Sequence, residues 1–315
     1  NWLLFFTERG KCFWLRVYAV PEGSKVSKGR PIQNLMNIEN GDTIRAVINV
    51  KSITDPDYID NNFIVMCTED GTIKKTSLEA YSRPRQNGIN AITIREGDRL
   101  LDVALTNGNN QIVIATNTGR SVRFEETRVR PMGRTAAGVK GIWIDEKIPT
   151  EKVIGMVCVS DPEVQQLLVV SEKGFGKRSE VDDYRLTNRG GKGVKALNIT
   201  EKTGALVAIK EVDDNNDLMI ITKAGILIRT SVAELRVMGR NTQGVKLIRL
   251  KNEADEISSV TKIEKDPEPE EVEMVEGLEV AEGVVLDAPA LEEGPVSEGG
   301  ESAEADDQVE DSTEV

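Results

Sequence analysis

The sequence predicts an all-β fold, a pinwheel or propeller-like array of about five to six four-stranded blades. Three observations support this prediction. A pair of glycines recurs five times along the 315 residues, short apolar runs alternate with turns, and helical periodicity is nearly absent. Self-similarity at about fifty residues is typical of propellers and solenoids.

The glycine pairs define the repeat. A Thr or Ser stands three residues before each first glycine, and basic residues follow it. The two glycines are 19, 17, 19, 19 and 19 residues apart, and successive first glycines are 61, 48, 55 and 51 residues apart. The pairs are Gly10 and Gly29, Gly71 and Gly88, Gly119 and Gly138, Gly174 and Gly193, and Gly225 and Gly244. We expect one domain at 1–265, with units near 1–50, 51–107, 108–159, 160–212 and 213–265.

Each repeat is predicted to contain a hairpin with the first glycine at its tip, because glycine adopts positive φ without steric cost. The second repeat illustrates the pattern, with strands predicted at Phe63–Cys67, Ile73–Leu78, Ala91–Ile94 and Leu100–Leu105. Helix is predicted only as single turns, at Ser77–Tyr81 and Ser179–Tyr184.

Charge divides the chain into two parts. Residues 266–315 hold 19 of the 53 acidic residues and no Lys or Arg, so residues 1–265 carry 34 acidic against 40 basic residues. Residues 266–315 offer little apolar surface to offset the entropy of ordering, so we expect them to form an acidic, disordered tail. A mildly basic body beside an acidic tail suggests a nucleic-acid partner.

Several classes of site are excluded or disfavoured by composition. The chain has no histidine, which removes Ser-His and Cys-His nucleophile pairs and most zinc sites. Cys12, Cys67 and Cys158 are widely spaced and are interpreted as buried apolar residues. Tyr81 and Tyr184 each follow a first glycine by ten residues, which favours a packing position over a catalytic one. No apolar run of the ~18 residues needed to span a membrane is present.

Basic residues recur at matching places in the repeats, especially in the loop between the paired glycines. In a radial array they would form a stripe on one rim, the electrostatic footprint of a polyanion such as duplex DNA. A solvated face is the alternative for any single residue. The candidate DNA-binding residues are Lys28, Arg30, Lys74, Lys75, Arg83, Arg85, Arg123, Arg130, Arg134, Lys140, Lys177, Arg178, Arg189, Lys192, Lys195, Arg229, Arg236, Arg240 and Lys246.

One loop has the composition of a phosphate cradle. Arg189–Gly193 reads Arg-Gly-Gly-Lys-Gly, in which glycines let backbone N–H groups approach an anion. The sequence leaves a flexible loop tip as an equal alternative.

Three stretches, Lys28–Leu35, Arg130–Ile142 and Val237–Arg249, resemble the C-terminal domain family of the DNA gyrase A protein, a type IIA topoisomerase component. The resemblance spans residues 2–262. It implies a β-pinwheel of up to six blades whose basic rim wraps duplex DNA, acting with the rest of the gyrase A protein and with the gyrase B protein in an A2B2 assembly. It also implies a bacterial, cytoplasmic enzyme that introduces negative supercoils into DNA. The ATP and magnesium that this enzyme uses would be bound by parts of the enzyme other than this chain.

The sequence departs from that family in two ways. The family's box, Gln-Arg-Arg-Gly-Gly-Lys-Gly, has no full copy; residues 187–193 match five of its seven positions but lie in the fourth repeat. The catalytic core with its tyrosine is also absent. We therefore expect a piece of a longer polypeptide that binds and bends DNA without cutting it, and that holds no cofactor itself.

Two alternatives stay open at this point. One is the equivalent domain of topoisomerase IV, which has fewer or more degenerate blades. The other is a propeller that scaffolds protein partners, although no Trp-Asp or Gly-His signature supports it. The tail would either compete with DNA for the basic rim or serve only solubility.

Overall fold

The computed structural model describes residues 1–24, 26–250 and 255–265, so the predicted tail at 266–315 lies outside the described residues. Within this part of the chain no helix is both long and apolar enough to cross a membrane. The strands are β1 (Trp2–Thr7), β2 (Lys11–Arg16), β3 (Ile44–Val50), β4 (Phe63–Thr68), β5 (Thr72–Ser77), β6 (Ile89–Asn90), β7 (Leu100–Thr106), β8 (Gln111–Thr116), β9 (Arg120–Glu125), β10 (Val139–Lys140), β11 (Val153–Val159), β12 (Gln166–Ser171), β13 (Phe175–Glu180), β14 (Val194–Lys195), β15 (Leu206–Val212), β16 (Asn216–Thr222), β17 (Leu227–Ser231), β18 (Val245–Lys246) and β19 (Ile257–Glu264).

The strands form five antiparallel sheets, which confirms the all-β, propeller-like prediction. Their orders from inner to outer edge are β3-β1-β2-β6, β7-β4-β5-β10, β11-β8-β9-β14, β15-β12-β13-β18 and, with three strands among the described residues, β19-β16-β17. In the first four sheets the outermost strand comes from the next repeat. Neighbouring repeats therefore share backbone hydrogen bonds as well as packed side chains.

This exchange corrects one predicted strand. Ala91–Ile94 is not a strand; the two residues before it, Ile89 and Asn90, pair instead with Cys12 and Lys11 of the first repeat. The chain then turns inward, and the amide of Ala91 donates to the Gly10 carbonyl at 2.8 Å. Sequence pattern within one repeat does not reveal a pairing partner in another.

The second glycine of each of the second to fifth repeats permits this exchange. Gly193 precedes β14 with φ +73°, and a Cβ there would lie 2.2 Å from the Ser121 carbonyl oxygen of the third repeat. Only glycine fits so close to a neighbouring backbone.

Strands near the middle of a sheet are buried on both faces. Along β4, Ile64 and Met66 pack toward the first repeat, whereas Val65 and Cys67 pack toward the third. Alternate side chains of a strand point to opposite faces, so a sheet between two others needs apolar residues at every position. The inner strands β3, β7, β11, β15 and β19 pack against one another in that order, which arranges the sheets about a common centre.

Helical structure in the described part is short, as predicted. The one α-helix, α1, spans Pro56–Asp60 and was not anticipated. The 3₁₀ turns lie at Val17–Ala19, Ile32–Asn34, Leu78–Tyr81, Glu126–Arg128, Val181–Asp183 and Val232–Glu234. Two of them coincide with the predicted single turns at Ser77–Tyr81 and Ser179–Tyr184.

The cysteines and the paired tyrosines have packing roles. Cys12, Cys67, Tyr81 and Tyr184 are fully buried, and Cys158 is half-buried. Burial raises the pKa of the Tyr184 hydroxyl to about 12 and raises the pKa of all three thiols. The predictions that these residues serve the core are confirmed.

Candidate nucleic-acid interface

The long loop between the paired glycines follows the second hairpin strand, and in the second to fifth repeats it ends in the short strand given to the preceding sheet. Because both of these strands are the outer strands of their sheets, the loops lie at the periphery of the array. Ten of the predicted DNA-binding residues are exposed in or next to these loops. They are Lys28, Arg30, Arg83, Arg85, Arg130, Lys140, Lys192, Lys195, Arg236 and Lys246.

Loop arginines four residues before the second glycine are half-buried: Arg134, Arg189 and Arg240. Arg189 donates from Nη1 to the Lys140 carbonyl at 3.1 Å, and Arg240 donates from Nη1 to the Lys195 carbonyl at 3.0 Å. In both cases Nε donates to a carbonyl in the 3₁₀ turn of the preceding repeat, at 3.1 and 2.8 Å. Equivalent arginines thus occupy equivalent places and also hold successive repeats together.

Five predicted DNA-binding residues are buried, which corrects their assignment. Lys74 and Lys177 are 0% exposed, and Lys75, Arg123 and Arg178 are 4%, 6% and 8% exposed. All five lie in the second strand of a hairpin, at the third or fourth position after the first glycine. Each is bound by protein oxygens, so these five side chains are structural and cannot reach a phosphate.

Lys75 forms a buried ion pair. Its Nζ lies 2.7 Å from Glu126 Oε1, and both side chains are almost inaccessible to solvent. The Thr106 hydroxyl donates to the same oxygen at 2.7 Å, and the Asn110 amide donates to Oε2 at 3.2 Å. Such full hydrogen bonding offsets the desolvation of the two charges.

Arg123 and Arg178 connect their hairpins to the next repeat by hydrogen bonds to carbonyls in or beside its 3₁₀ turn. Arg123 Nη1 donates to the carbonyls of Val181 and Tyr184 at 2.7 and 3.0 Å. Arg178 Nε donates to the Leu235 carbonyl at 2.6 Å. Each guanidinium also binds an exposed carboxylate, Asp182 and Asp214 respectively. In the third and fourth repeats this arginine therefore serves assembly; in the first repeat Trp14 holds the same position, and its indole Nε1 donates to the Tyr81 carbonyl at 3.0 Å.

Lys74 and Lys177 bind only neutral oxygens among the described residues. Lys177 Nζ donates to the carbonyls of Gly239 and Arg240, and Lys74 Nζ donates to those of Ala91 and Arg134. Burial lowers the pKa of both ammonium groups to about 8. The guanidinium of Arg134 or Arg240 is a smaller cause of the same lowering, and the Asp183 carboxylate opposes it at Lys177.

Arg229 is the equivalent of Arg123 and Arg178 in the fifth repeat, but it is exposed. Its Nε donates to Asp217 Oδ2 at 2.7 Å, within the same sheet. Its role as a DNA contact stays a prediction.

The loop with the composition of a phosphate cradle, Arg189–Gly193, is held by backbone hydrogen bonds. The Gly190 amide donates to the Gly141 carbonyl at 2.6 Å, and the Gly191 carbonyl accepts from the Trp143 amide at 2.9 Å. Lys192 Nζ lies 4.6 Å from the centre of the Trp143 ring, a cation–π contact. The loop lines an open cavity of about 400 Å³. These contacts hold the loop in place, so it is not a loose tip, but they already use the Gly190 amide that a phosphate cradle would need.

Arg185 is an exposed residue that the candidate set omits. It lines the same cavity and stands eleven residues after its first glycine, as Arg130 and Arg236 do in their own repeats. Alignment of the repeats by their first glycines would have found it.

A family model described as the DNA gyrase C-terminal domain, a β-propeller, matches the chain five times, at residues 1–51, 62–107, 110–160, 165–213 and 216–264. The DNA gyrase A protein of Staphylococcus aureus strain NCTC 8325 is 44% identical over 268 residues. That match covers 85% of this chain and 29% of the relative, so the chain spans less than a third of its length.

Solved structures share the fold. The C-terminal domain of DNA topoisomerase IV matches with a TM-score of 0.74 and 23% identity, covering 84% of this chain and 79% of that one. The DNA gyrase A C-terminal domain matches with a TM-score of 0.69 and 22% identity, covering 83% and 82%. With the five repeated matches and the 44% identity, these findings show that the chain belongs to the DNA gyrase C-terminal domain family.

Proposed function

We propose that this chain binds duplex DNA along its peripheral loops and wraps it chirally around the array of sheets, without regard to base sequence. The observation that carries the proposal is the set of ten exposed Lys and Arg residues, placed on the same loop in all five repeats. Phosphate contacts position a duplex but carry little sequence information.

The energies of bending and of contact are comparable. Bending ~40 bp through a half-turn costs on the order of 10 kcal/mol, given a persistence length of about 150 bp. Each charge-assisted hydrogen bond contributes roughly 1.5–3 kcal/mol, so four to seven phosphate contacts offset the bend. The ten exposed residues can supply that number.

The wider role follows from the family and belongs to the same proposal. The domain presents a wrapped segment to a cleavage core during ATP-dependent negative supercoiling. It acts with the rest of the gyrase A protein and with the gyrase B protein in an A2B2 assembly in the bacterial cytoplasm. ATP and magnesium act outside this domain, and no residue of the domain is catalytic.

Fluorescence anisotropy with two labelled duplexes of equal length and unrelated sequence tests binding. We expect equal Kd values for the two duplexes and a linear fall of log K with log salt concentration, with a slope of about −0.9 for each phosphate neutralised. Ligation of nicked circular DNA in the presence of the protein tests wrapping, because chiral wrapping shifts the linking number of the products. Affinity that depends on base sequence, or binding without a linking-number shift, would contradict the respective half of the proposal.

A further inference from the structure

The loops of the third and fifth repeats turn carbonyl oxygens toward a buried lysine of the preceding repeat. Lys177 Nζ donates to the carbonyl of Gly239 at 2.8 Å and to that of Arg240. Lys74 Nζ donates to the carbonyl of Arg134, at the equivalent position. Both lysines are 0% exposed, so these oxygens face the interior.

The amides of the same peptide units face the other way. In a planar trans peptide the N–H points opposite to the C=O, and no peptide bond here is cis. The amides of Arg240 and Asn241 therefore point away from Lys177, and the amide of Thr135 points away from Lys74. Within the part of the chain that the structure describes, none of the three amides has an acceptor. Asn241 and Thr135 are exposed to solvent.

The electrostatics of this arrangement favour an oxyanion outside each loop. Successive backbone N–H groups that converge on one side of a loop bind anions, and a cation behind the carbonyls holds the peptide dipoles in that orientation. The Arg240 guanidinium uses Nε and Nη1 on carbonyls of the preceding repeat, which leaves Nη2 as a further donor of the same loop. The fifth-repeat loop thus offers main-chain and side-chain donors together.

The other loops lack this support. The residue equivalent to Lys74 and Lys177 is Phe13 in the first repeat and Val122 in the third, both buried and apolar. The loops of the second and fourth repeats therefore have no ammonium group behind their carbonyls. The lysine-backed loops alternate with the others along the chain.

We infer that the main-chain amides of Arg240 and Asn241, and that of Thr135, are oxyanion sites that bind DNA backbone phosphates, each positioned by a buried lysine of the preceding repeat. This assignment rests on the proposed function. It makes Lys177 and Lys74 positioning residues for DNA binding, although neither touches DNA.

Amide proton shifts of ¹⁵N-labelled protein, titrated with a 20-bp duplex, test this assignment. We expect the amides of Arg240, Asn241 and Thr135 to shift downfield as phosphate oxygens accept from them. In Lys177→Met the response of Arg240 and Asn241 should be lost while that of Thr135 persists, and Lys74→Met should give the reverse. Each variant thus carries its own control for folding.

Affinity and ligand source complete the test. Lys177→Met should raise Kd for the duplex about tenfold, the loss of one charge-assisted contact. Lys195→Met, which removes an exposed charge, should weaken binding but leave all three amide responses intact. A parallel titration with inorganic phosphate separates the sources. Responses that need far less duplex phosphate than free phosphate support a DNA contact, and equal sensitivity overturns it.

The result that would overturn the assignment differs from failure of the proposed function. If saturating duplex binds but the three amides do not shift, or if they shift equally in both methionine variants, the main-chain sites are refuted and DNA binding stands. If the duplex does not bind at all, the proposed function itself fails.

Discussion

The second hairpin strands and the peripheral loops are both rich in Lys and Arg, but they use them differently. In strands β5, β9 and β13 the cations at the third and fourth positions after the first glycine are buried and bind oxygens of a neighbouring repeat or sheet. In the loops, a few residues further along, ten cations are exposed. Recurrence of a charged residue in a repeat therefore marks either assembly or binding, and burial decides between them.

The largest expected effect comes from breaking the buried pair. Glu126→Gln leaves the Lys75 ammonium buried without its counterion, and we expect the free energy of unfolding to fall by about 3–5 kcal/mol. Urea denaturation measures this. Glu163→Gln, at an exposed position, is the control and should change stability little. A loss below ~1 kcal/mol in Glu126→Gln would show that strand cations do not hold the array together.

The second largest effect is expected when the exchange of a strand between neighbouring repeats is disturbed. Gly193→Ala places a Cβ against the Ser121 carbonyl, and we expect a loss of about 3 kcal/mol from overpacking and the positive φ. Gly225→Ala has a similar φ but open space around the Cβ, so about 1 kcal/mol is expected. Thermal unfolding compares the pair. Equal losses would mean that close approach of the backbones contributes nothing.

The role of the exposed loop cations is tested by a triple variant, Lys140→Gln, Lys195→Gln and Lys246→Gln. Stability should change by less than ~0.5 kcal/mol, because the three side chains are exposed. The slope of log K against log salt should become shallower by about 2.7, and Kd for duplex DNA should rise about 10- to 100-fold. The matched control removes the same charge at Lys51, Lys147 and Lys173, outside the peripheral loops. An equal loss of affinity in the control would show that DNA binding depends on the total charge of the protein and not on the position of the lysines in the peripheral loops.

The smallest expected effect is a pH dependence. Because the pKa of Lys177 is lowered to about 8, the unfolded chain binds more protons than the folded protein between pH 8 and about 10.5. The cost of burying the ammonium is thus present below pH 8 and is relieved as pH rises through this window. The stability of the protein relative to Lys177→Met should therefore increase by about 1 kcal/mol from pH 8 to 9, measured by urea titration. A decrease would indicate that the carbonyl hydrogen bonds raise the pKa instead.

Much of the fold could be predicted from the sequence because its signals are local. A glycine at a hairpin tip, an apolar run and a turn each depend on neighbouring residues. The pairing of Ile89–Asn90 with the first repeat could not be predicted, since the pairing partner lies 77 to 79 residues away in the sequence.

The candidate site was predictable only in part, for a related reason. Exposed and buried positions hold the same residue types, Lys and Arg. The repeat pattern alone therefore does not distinguish Lys177, which is buried, from Lys192, which is exposed. Their difference depends on oxygens supplied by the following repeat, as with Gly239 and Arg240 around Lys177. The amides of Asn241 and Thr135 have no side-chain signature at all.

The strand that each repeat after the first passes to the preceding sheet has a consequence for how such an array can be lengthened or shortened. The boundary between two repeats in sequence is not the boundary between two sheets in space, because each of the first four sheets is completed by residues of the following repeat. Deleting one sequence repeat therefore requires the repeat after it to complete the sheet before it. A chain that stopped after any of the first four repeats would leave its last sheet without an outermost strand.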